Sequence, residues 1–232
     1  MRDITTQAIV LKNASYRDND QMLTLLSPMY GRMDVMARGV KKAKSHLTAC
    51  SELFAYGEFV LVNVRERITV TSCQMIDNFY PLREDYEKLK LGTSLLQMVY
   101  QQSVPQEKAK QLFTLLIRSL KRMCYTDLPS NVILGGFLLF DAIIMGYRPT
   151  LESCSMCGAR VHPSEVRKFS TAHGGVLCKE CGANGMNTLR ISPSQIEWMM
   201  DVLKVGVEQT SCSAVYAPVD LLQDYVKHCL TL

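Results

Sequence analysis

Hydrophobic and polar residues alternate in the first third of the chain. In the stretch "GRMDVMAR", Met33, Val35 and Ala37 fall on one face, and mostly polar or charged residues fall on the other. Strict alternation is typical of a strand that is buried on one side only. Similar short runs recur up to residue 80 with no long helix between them. The pattern therefore predicts about five antiparallel strands that close into a small barrel, and the OB-fold is the common barrel of this size.

From residue 81 onward the hydrophobic period becomes helical. Apolar residues recur at i, i+3, i+4 and i+7 spacing over residues 106–124, and residues 132–145 are apolar almost all round. The second pattern predicts the buried central helix of a bundle. No apolar run approaches the roughly 18 residues that a membrane span needs. We therefore predict an α+β protein with an OB-fold domain at 1–80 and an α-helical domain at 81–232.

Two pairs of cysteines interrupt the helical pattern. Cys154 and Cys157 are separated by two residues, as are Cys178 and Cys181, and a glycine follows each pair. A tight turn at such a pair favours a residue that tolerates positive φ. Two such turns that face each other form a tetrahedral site of four thiolates, which is typical of structural zinc. The sequence therefore predicts that residues 151–185 form a segment that holds one structural zinc ion.

The same cysteines could in principle serve catalysis. Four thiolates fill the coordination sphere and leave no position for a reactive water. A zinc deaminase needs an HxE motif and a PCxxC motif, and this sequence has neither. His162 and His173 lie between the cysteine pairs and could replace a ligand, or they could be exposed loop residues. We predict no enzymatic activity and keep a metal hydrolase or deaminase as the least favoured alternative.

Positive charge is concentrated in one short stretch of the barrel region. The formal charge of the whole chain is only +4, which does not by itself indicate a nucleic-acid partner. One acidic residue lies between residues 29 and 48, together with five basic ones: Arg32, Arg38, Lys41, Lys42 and Lys44. Flexible cations beside a barrel suit phosphate binding. The alternative is a solvated, lysine-rich loop that serves solubility.

Three stretches resemble the RecO family of bacterial recombination mediators. Residues 8–45, "AIVLKNASYRDNDQMLTLLSPMYGRMDVMARGVKKAKS", are similar to the N-terminal signature of that family, and residues 53–61, "LFAYGEFVL", are similar to the strand that follows it. The third stretch is "IMGYRPTLESCSMCG" at residues 144–158, with "GGVLCKECG" further on. The sequence departs from the family at Asn19-Asp20, where an acidic residue followed by Thr or Ser is expected.

The resemblance implies both a fold and a function. It implies an N-terminal OB-fold, a helical C-terminal domain and a zinc-binding segment within that domain. It also implies binding of single-stranded and double-stranded DNA, annealing of complementary strands, and action on DNA coated by the single-stranded DNA-binding protein SSB. With RecR, family members help to load the recombinase RecA, and no catalytic residue is implied. We therefore expect a cytoplasmic, nucleoid-associated bacterial protein with no membrane partner.

The resemblance also assigns residues to these roles. The match of "ARGVKKAKS" implies DNA contact at Arg38, Lys41, Lys42 and Lys44, and we add Arg32 from its position on the strand face. The family engages the acidic C-terminal tail of SSB in its helical domain, and residues 106–124 are a candidate for that contact. The alternative function is a zinc-ribbon DNA-binding transcription regulator, which would prefer one duplex sequence.

Overall fold

The structure, a computed structural model, describes residues 3–64, 67–166, 168–184, 187–206 and 216–231. The chain divides into two compact units, Met1–Tyr125 and Thr126–Leu232. Each unit has its own buried residues and its own secondary structure, so the two are described separately.

The first unit contains a closed barrel of five strands. They are β1 (Ile4–Tyr16), β2 (Asp20–Ser27), β3 (Gly31–Ala37), β4 (Tyr56–Val64) and β5 (Arg67–Asp77). Their order is β1-β2-β3-β5-β4, and β1 closes the barrel by pairing with both β2 and β4. Strands β3 and β5 are parallel, and the other neighbours are antiparallel. This is the topology of an OB-fold, so the predicted barrel is confirmed.

The interior of the barrel follows the alternation of the sequence. Met33, Val35 and Ala37 of β3 belong to the internal core cluster, together with Leu23 and Leu25 of β2. Strand β1 bends at a register shift between residues 10 and 12, which allows one long strand to pair on both sides. The apolar face predicted from the sequence is therefore the face that fills the barrel.

Three helices complete the first unit: α1 (Pro81–Glu84), α2 (Tyr86–Gln102) and α3 (Lys110–Tyr125). Phe113 of α3 packs edge-to-face on Tyr56 of β4, with ring centroids 5.9 Å apart. Helix α3 begins later than the predicted residue 106, because the preceding segment lies against the β2–β3 turn, where the Ala109 N–H donates to the Pro28 carbonyl. The predicted domain boundary after residue 80 stays a prediction, but α1 to α3 lie in the same compact unit as the barrel.

The second unit combines helices with a small sheet. Its elements are α4 (Ser130–Ile144), β6 (Lys168–Ser170), β7 (Gly175–Leu177), α5 (Lys179–Asn184), β8 (Thr188–Arg190), α6 (Pro193–Val205) and α7 (Val219–Cys229). The apolar helix α4 is buried along most of its length, as predicted, and it packs on α7 and α6. Gly135 allows this packing, because a Cβ at that position would lie 2.9 Å from the Trp198 ring. Among the residues described here, no helix is both long enough and apolar enough to cross a membrane.

Candidate nucleic-acid interface and metal centre

The basic stretch forms a loop whose ends are fixed to the barrel. Val40 and Leu47 are members of the barrel core, and the Thr48 hydroxyl donates to the Val40 carbonyl at 2.9 Å. The Gly39 N–H donates to Asp20 Oδ1 at 2.8 Å, and the Lys41 N–H donates to the Asn19 carbonyl at 3.2 Å. The loop is therefore bound to the β1–β2 turn, at the position where the sequence departs from the RecO signature.

Four of the five predicted DNA-contacting residues project from this loop. Arg38, Lys41, Lys42 and Lys44 are all exposed. The Lys41 ammonium lies 3.0 Å from Ser15 Oγ at the end of β1. Within the part of the chain that the structure describes, none of the four forms an ion pair with a carboxylate. Their charge is therefore available to an external anion.

Arg32 lies elsewhere. Its guanidinium stacks on Tyr100 of α2, 4.7 Å from the ring centroid, and donates to the Tyr100 carbonyl at 2.6 Å. Arg32 is half-buried in this position and holds α2 against β3. The structure does not bring Arg32 together with the other four residues, and its DNA contact stays a prediction.

Sequence reasoning missed three residues beside the loop. The Arg67 guanidinium at the start of β5 donates to the Tyr16 hydroxyl at 3.0 Å, and the guanidinium carbons of Arg17 and Arg67 lie 5.4 and 6.0 Å from the Tyr16 ring centroid. Both arginines are exposed. The signal was weak, because Arg17 is a single cation in an ordinary turn and Arg67 is 51 residues from Tyr16 along the chain.

The loop and the Tyr16 cluster meet at the end of β1, where Lys41 contacts Ser15 and Arg67 contacts Tyr16. We call the residues of these segments the basic rim. It comprises Tyr16, Arg17, Arg38, Lys41, Lys42, Lys44 and Arg67. The hydrogen bond from Arg67, and then the positive charge of both arginines, lower the pKa of Tyr16 below its ordinary value. The same positive field attracts phosphate groups.

The two cysteine pairs meet in the second unit. The sulfur atoms of Cys154, Cys157, Cys178 and Cys181 all lie within 4.8 Å of one another, and those of Cys157 and Cys178 are 3.8 Å apart. A tetrahedral zinc site with Zn–S bonds of about 2.3 Å has sulfurs about 3.8 Å apart. The four thiols therefore fit a metal ion, and a four-sulfur set is consistent with zinc.

The two turns at this site differ in their backbone. Gly158 has φ +76°, and its N–H donates to the Cys154 carbonyl at 2.8 Å, as expected for a tight turn. Gly182 also donates to the carbonyl of the first cysteine of its pair, Cys178, but its φ is not positive. The expectation of a positive-φ glycine is therefore wrong for Gly182. The reason is that the chain continues into the short helix α5 there instead of reversing.

The thiols differ in how readily they ionise. Burial raises the pKa of the Cys154 thiol, but three surrounding backbone N–H groups outweigh burial and lower its pKa to about 6. Hydrogen bonds to the neighbouring sulfurs raise the pKa of Cys181 to about 12. Four sulfurs this close repel one another as thiolates, so a bound cation is what allows all four to ionise.

The two histidines near the cysteines have other partners. His162 Nδ1 lies 2.8 Å from Ser164 Oγ, and His173 Nδ1 lies 3.1 Å from Ser170 Oγ. Among the described residues, the candidate metal cluster consists of the four cysteines. The histidines therefore shape the neighbouring loops.

The metal segment is joined to the helices of its unit through an aromatic contact. Phe169 of β6 is fully buried and packs edge-to-face on Tyr225 of α7, with centroids 5.3 Å apart. The Tyr225 hydroxyl also donates to the Tyr147 carbonyl at 3.0 Å. The cysteine site therefore lies in a segment that is packed onto the helical core, as expected of a structural metal site.

Two family models together match most of the chain. The family models described as "Recombination protein O N terminal" and "Recombination protein O C terminal" match residues 1–79 and 83–216. The chain belongs to the RecO family. RecO membership supports a role in recombinational DNA repair and does not favour a transcription regulator.

Individual RecO proteins are similar over most of their length. DNA repair protein RecO of Acetivibrio thermocellus is 33% identical over 192 residues, which is 83% of this chain and 76% of its own. The protein of the same name from Alkaliphilus metalliredigens is also 33% identical, over 89% of this chain and 83% of its own. That of Desulforamulus reducens is 26% identical over 99% of this chain and 91% of its own.

Proposed function

We propose that this chain is a non-enzymatic mediator of recombinational DNA repair that binds DNA through the basic rim. One observation carries the proposal. Six cations from three separate segments gather at one end of an OB-fold barrel, and those of the loop form no ion pair within the described residues. OB-folds bind single strands with such a charged surface.

The physical logic of annealing fits this surface. Two complementary strands repel each other through their phosphates, and flexible cations reduce that repulsion while they leave the base edges free to pair. The proposed binding therefore has little sequence preference, is strongly weakened by salt, and extends to single-stranded and double-stranded DNA. In this proposal the chain anneals SSB-coated strands in the cytoplasm at the nucleoid and, with RecR, helps RecA to load.

The tail of SSB has a candidate site on α3. Arg118 and Lys121 are exposed on this helix, while Leu116 and Leu120 on its other side are buried. An acidic peptide would pair with the basic face. We propose this face for the SSB tail. An Arg118→Glu/Lys121→Glu variant should bind the tail peptide much more weakly than wild type, and equal binding would remove α3 from the proposal.

The metal centre has a structural role in this proposal. One zinc ion bound by Cys154, Cys157, Cys178 and Cys181 would join the two cysteine turns of the second unit, and four thiolates would leave the ion no open position for chemistry. No catalytic residue is proposed.

The deciding experiment measures the annealing rate of complementary, SSB-coated oligonucleotides. Wild type should accelerate annealing without a nucleotide cofactor, and the Lys41→Glu/Lys42→Glu/Lys44→Glu variant should lose the acceleration while its melting temperature is retained. A matched control, Lys90→Glu/Lys204→Glu/Lys227→Glu, changes the net charge equally at exposed positions outside the rim. Acceleration that survives in the rim variant, or that is lost equally in the control, would refute the proposed interface.

A further inference from the structure

We infer that the ring of Tyr16 is a stacking platform for an unpaired base, so that the basic rim prefers single strands to duplex DNA. This inference rests on the proposed DNA binding and deepens it. Tyr16 is the last residue of β1, and the cations of the basic rim come from the turn after it, the loop beside it and the start of β5. A base that projects from a strand bound at this point would meet the Tyr16 ring among groups that bind phosphate.

Two contacts hold the Tyr16 ring in place. The hydrogen bond from Arg67 fixes the hydroxyl end of Tyr16, and the pairing of Tyr16 with Asp20 in the β1–β2 ladder fixes its backbone. A ring fixed in this way loses little conformational freedom when a base stacks on it. The two guanidinium groups are exposed and lie farther from the ring centroid than Arg32 does from the centroid of Tyr100.

Among the described residues, Tyr100 is a second ring with two cations beside it, but it does not offer the same site. Tyr100 is contacted by Lys12 and Arg32, but Arg32 is half-buried and also bound to the Tyr100 carbonyl. That cluster joins a helix to a strand. At Tyr16 the cations are exposed, and the lysines of the loop are adjacent. Base–aromatic stacking beside a positive groove is the means by which OB-folds bind single strands without a sequence code.

Stacking predicts a dependence on bases that charge alone does not. In a duplex the bases are already paired and stacked, and in an abasic strand they are missing, although the phosphates remain in both. The experiment therefore measures Kd for three ligands of equal length at one salt concentration: oligo(dT), an abasic strand and a duplex. The variants are Tyr16→Ala, Tyr16→Phe and the control Tyr86→Ala, which replaces a tyrosine that is 74% exposed on α2.

Tyr16→Ala should weaken binding to oligo(dT) about ten-fold and leave the abasic strand and the duplex within about two-fold of wild type. Tyr16→Phe keeps the ring but loses the hydrogen bond from Arg67, so its loss of affinity for oligo(dT) should be about three-fold or less, smaller than that of Tyr16→Ala. Tyr86→Ala should change none of the three. Melting curves check that each variant is folded. If Tyr16→Ala is unstable, wild type itself still tests stacking, because equal Kd values for oligo(dT) and the abasic strand would overturn it.

The outcomes distinguish a failure of the stacking inference from a failure of the proposed DNA binding. Equal losses on the oligo(dT) and abasic ligands, or a loss in Tyr16→Phe as large as in Tyr16→Ala, would overturn stacking. Unchanged binding by Tyr16→Ala would do the same, while a Lys41→Glu/Lys42→Glu/Lys44→Glu variant that fails to bind would still support the proposed interface. Wild-type protein that binds none of the three ligands would overturn both.

Discussion

Arg32 and Arg38 are both arginines and both belong to the region of β3, but their surroundings give them different roles. They stand at the two ends of β3, about 20 Å apart at roughly 3.3 Å per residue. The guanidinium of Arg32 is bound to Tyr100, whereas Arg38 is exposed beside the loop lysines and its guanidinium contacts only the sulfur of Met36 among the described contacts. The first arrangement favours stability, and the second favours binding.

Single substitutions should separate these roles. Arg32→Ala removes a charged hydrogen bond and a cation–π contact, so we expect it to lower the free energy of unfolding by about 1–2 kcal/mol. If Arg32 makes the DNA contact that the sequence predicts, the affinity of Arg32→Ala for single-stranded DNA should fall as much as that of Arg38→Ala; because Tyr100 already engages the guanidinium, we expect it to stay within about two-fold of wild type. Arg38→Ala should weaken DNA binding and leave stability nearly unchanged. Urea unfolding and DNA titration check both variants, and a larger binding loss in Arg32→Ala than in Arg38→Ala would contradict this assignment.

The local sequence pattern predicts which residues lie in the core, but it does not predict the contacts between distant residues. The core positions Met33 and Val35 follow from alternation alone, because a strand with one buried face has no other arrangement. The partner of Arg32 does not follow, because Tyr100 is 68 residues away and only the packed helix brings it there. Contacts between distant segments depend on tertiary packing, and one sequence does not display that packing.

The basic loop, residues 38–48, is the element that should determine the salt dependence of binding. Each phosphate neutralised on a single strand contributes about 0.7 to the slope of log K against log salt. Replacing Lys41, Lys42 and Lys44 by alanine should therefore make that slope shallower by about 2. Alanine at Lys90, Lys204 and Lys227 should leave the slope unchanged. If the two triple variants had the same slope as wild type, the loop would not be the phosphate contact.

The cysteine segment is an element whose stability should depend on its metal. Cys157 is exposed, so Cys157→Ser removes a ligand without leaving a hole in the core. We expect this variant, and wild type treated with a chelator, to lose one equivalent of metal and to melt at a lower temperature. DNA binding by the basic rim should persist, because the rim lies in the other unit. Cys124→Ser is the control and should keep its metal. A metal-free chain with unchanged melting would contradict a structural role.

At the scale of the whole molecule, the proposed DNA surface and the cysteine site lie in different compact units. The proposed DNA surface is built entirely from residues before 68, and the metal centre entirely from residues after 153. The period of the hydrophobic pattern predicted where strands give way to helices. It did not predict that the first three helices belong to the unit of the barrel, because apolar periodicity shows that a helix has a buried face but not what covers it.

Several contacts tie these helices to the barrel. The Arg83 guanidinium of α1 donates to the Leu53 carbonyl at 2.8 Å and pairs with Glu52 at 3.3 Å. Gly92 of α2 lies against the Phe54 ring, where a Cβ would be 3.2 Å from the nearest ring carbon. Gly31 in the β2–β3 turn is so close to the Glu107 carbonyl that no side chain fits between them. The helices therefore cover surface that the barrel does not bury by itself.

The domain boundary can be tested on this basis. Ile9, Leu26, Phe54 and Tyr56 are buried but lie outside the internal cluster of the barrel. Exposing such side chains costs about 1.5–3 kcal/mol each, so four of them cost about 6–12 kcal/mol, which is comparable to the whole stability of a typical domain.

We therefore expect a chain of residues 1–125 to unfold cooperatively and to bind single-stranded DNA, and a chain of residues 1–80 to do neither. Thermal melting and DNA titration of the two chains check this, with the Lys41→Glu/Lys42→Glu/Lys44→Glu change in residues 1–125 as the binding control. Cooperative melting of residues 1–80 near the temperature of the longer chain would place the boundary at residue 80 and leave the first three helices outside the barrel's folding unit.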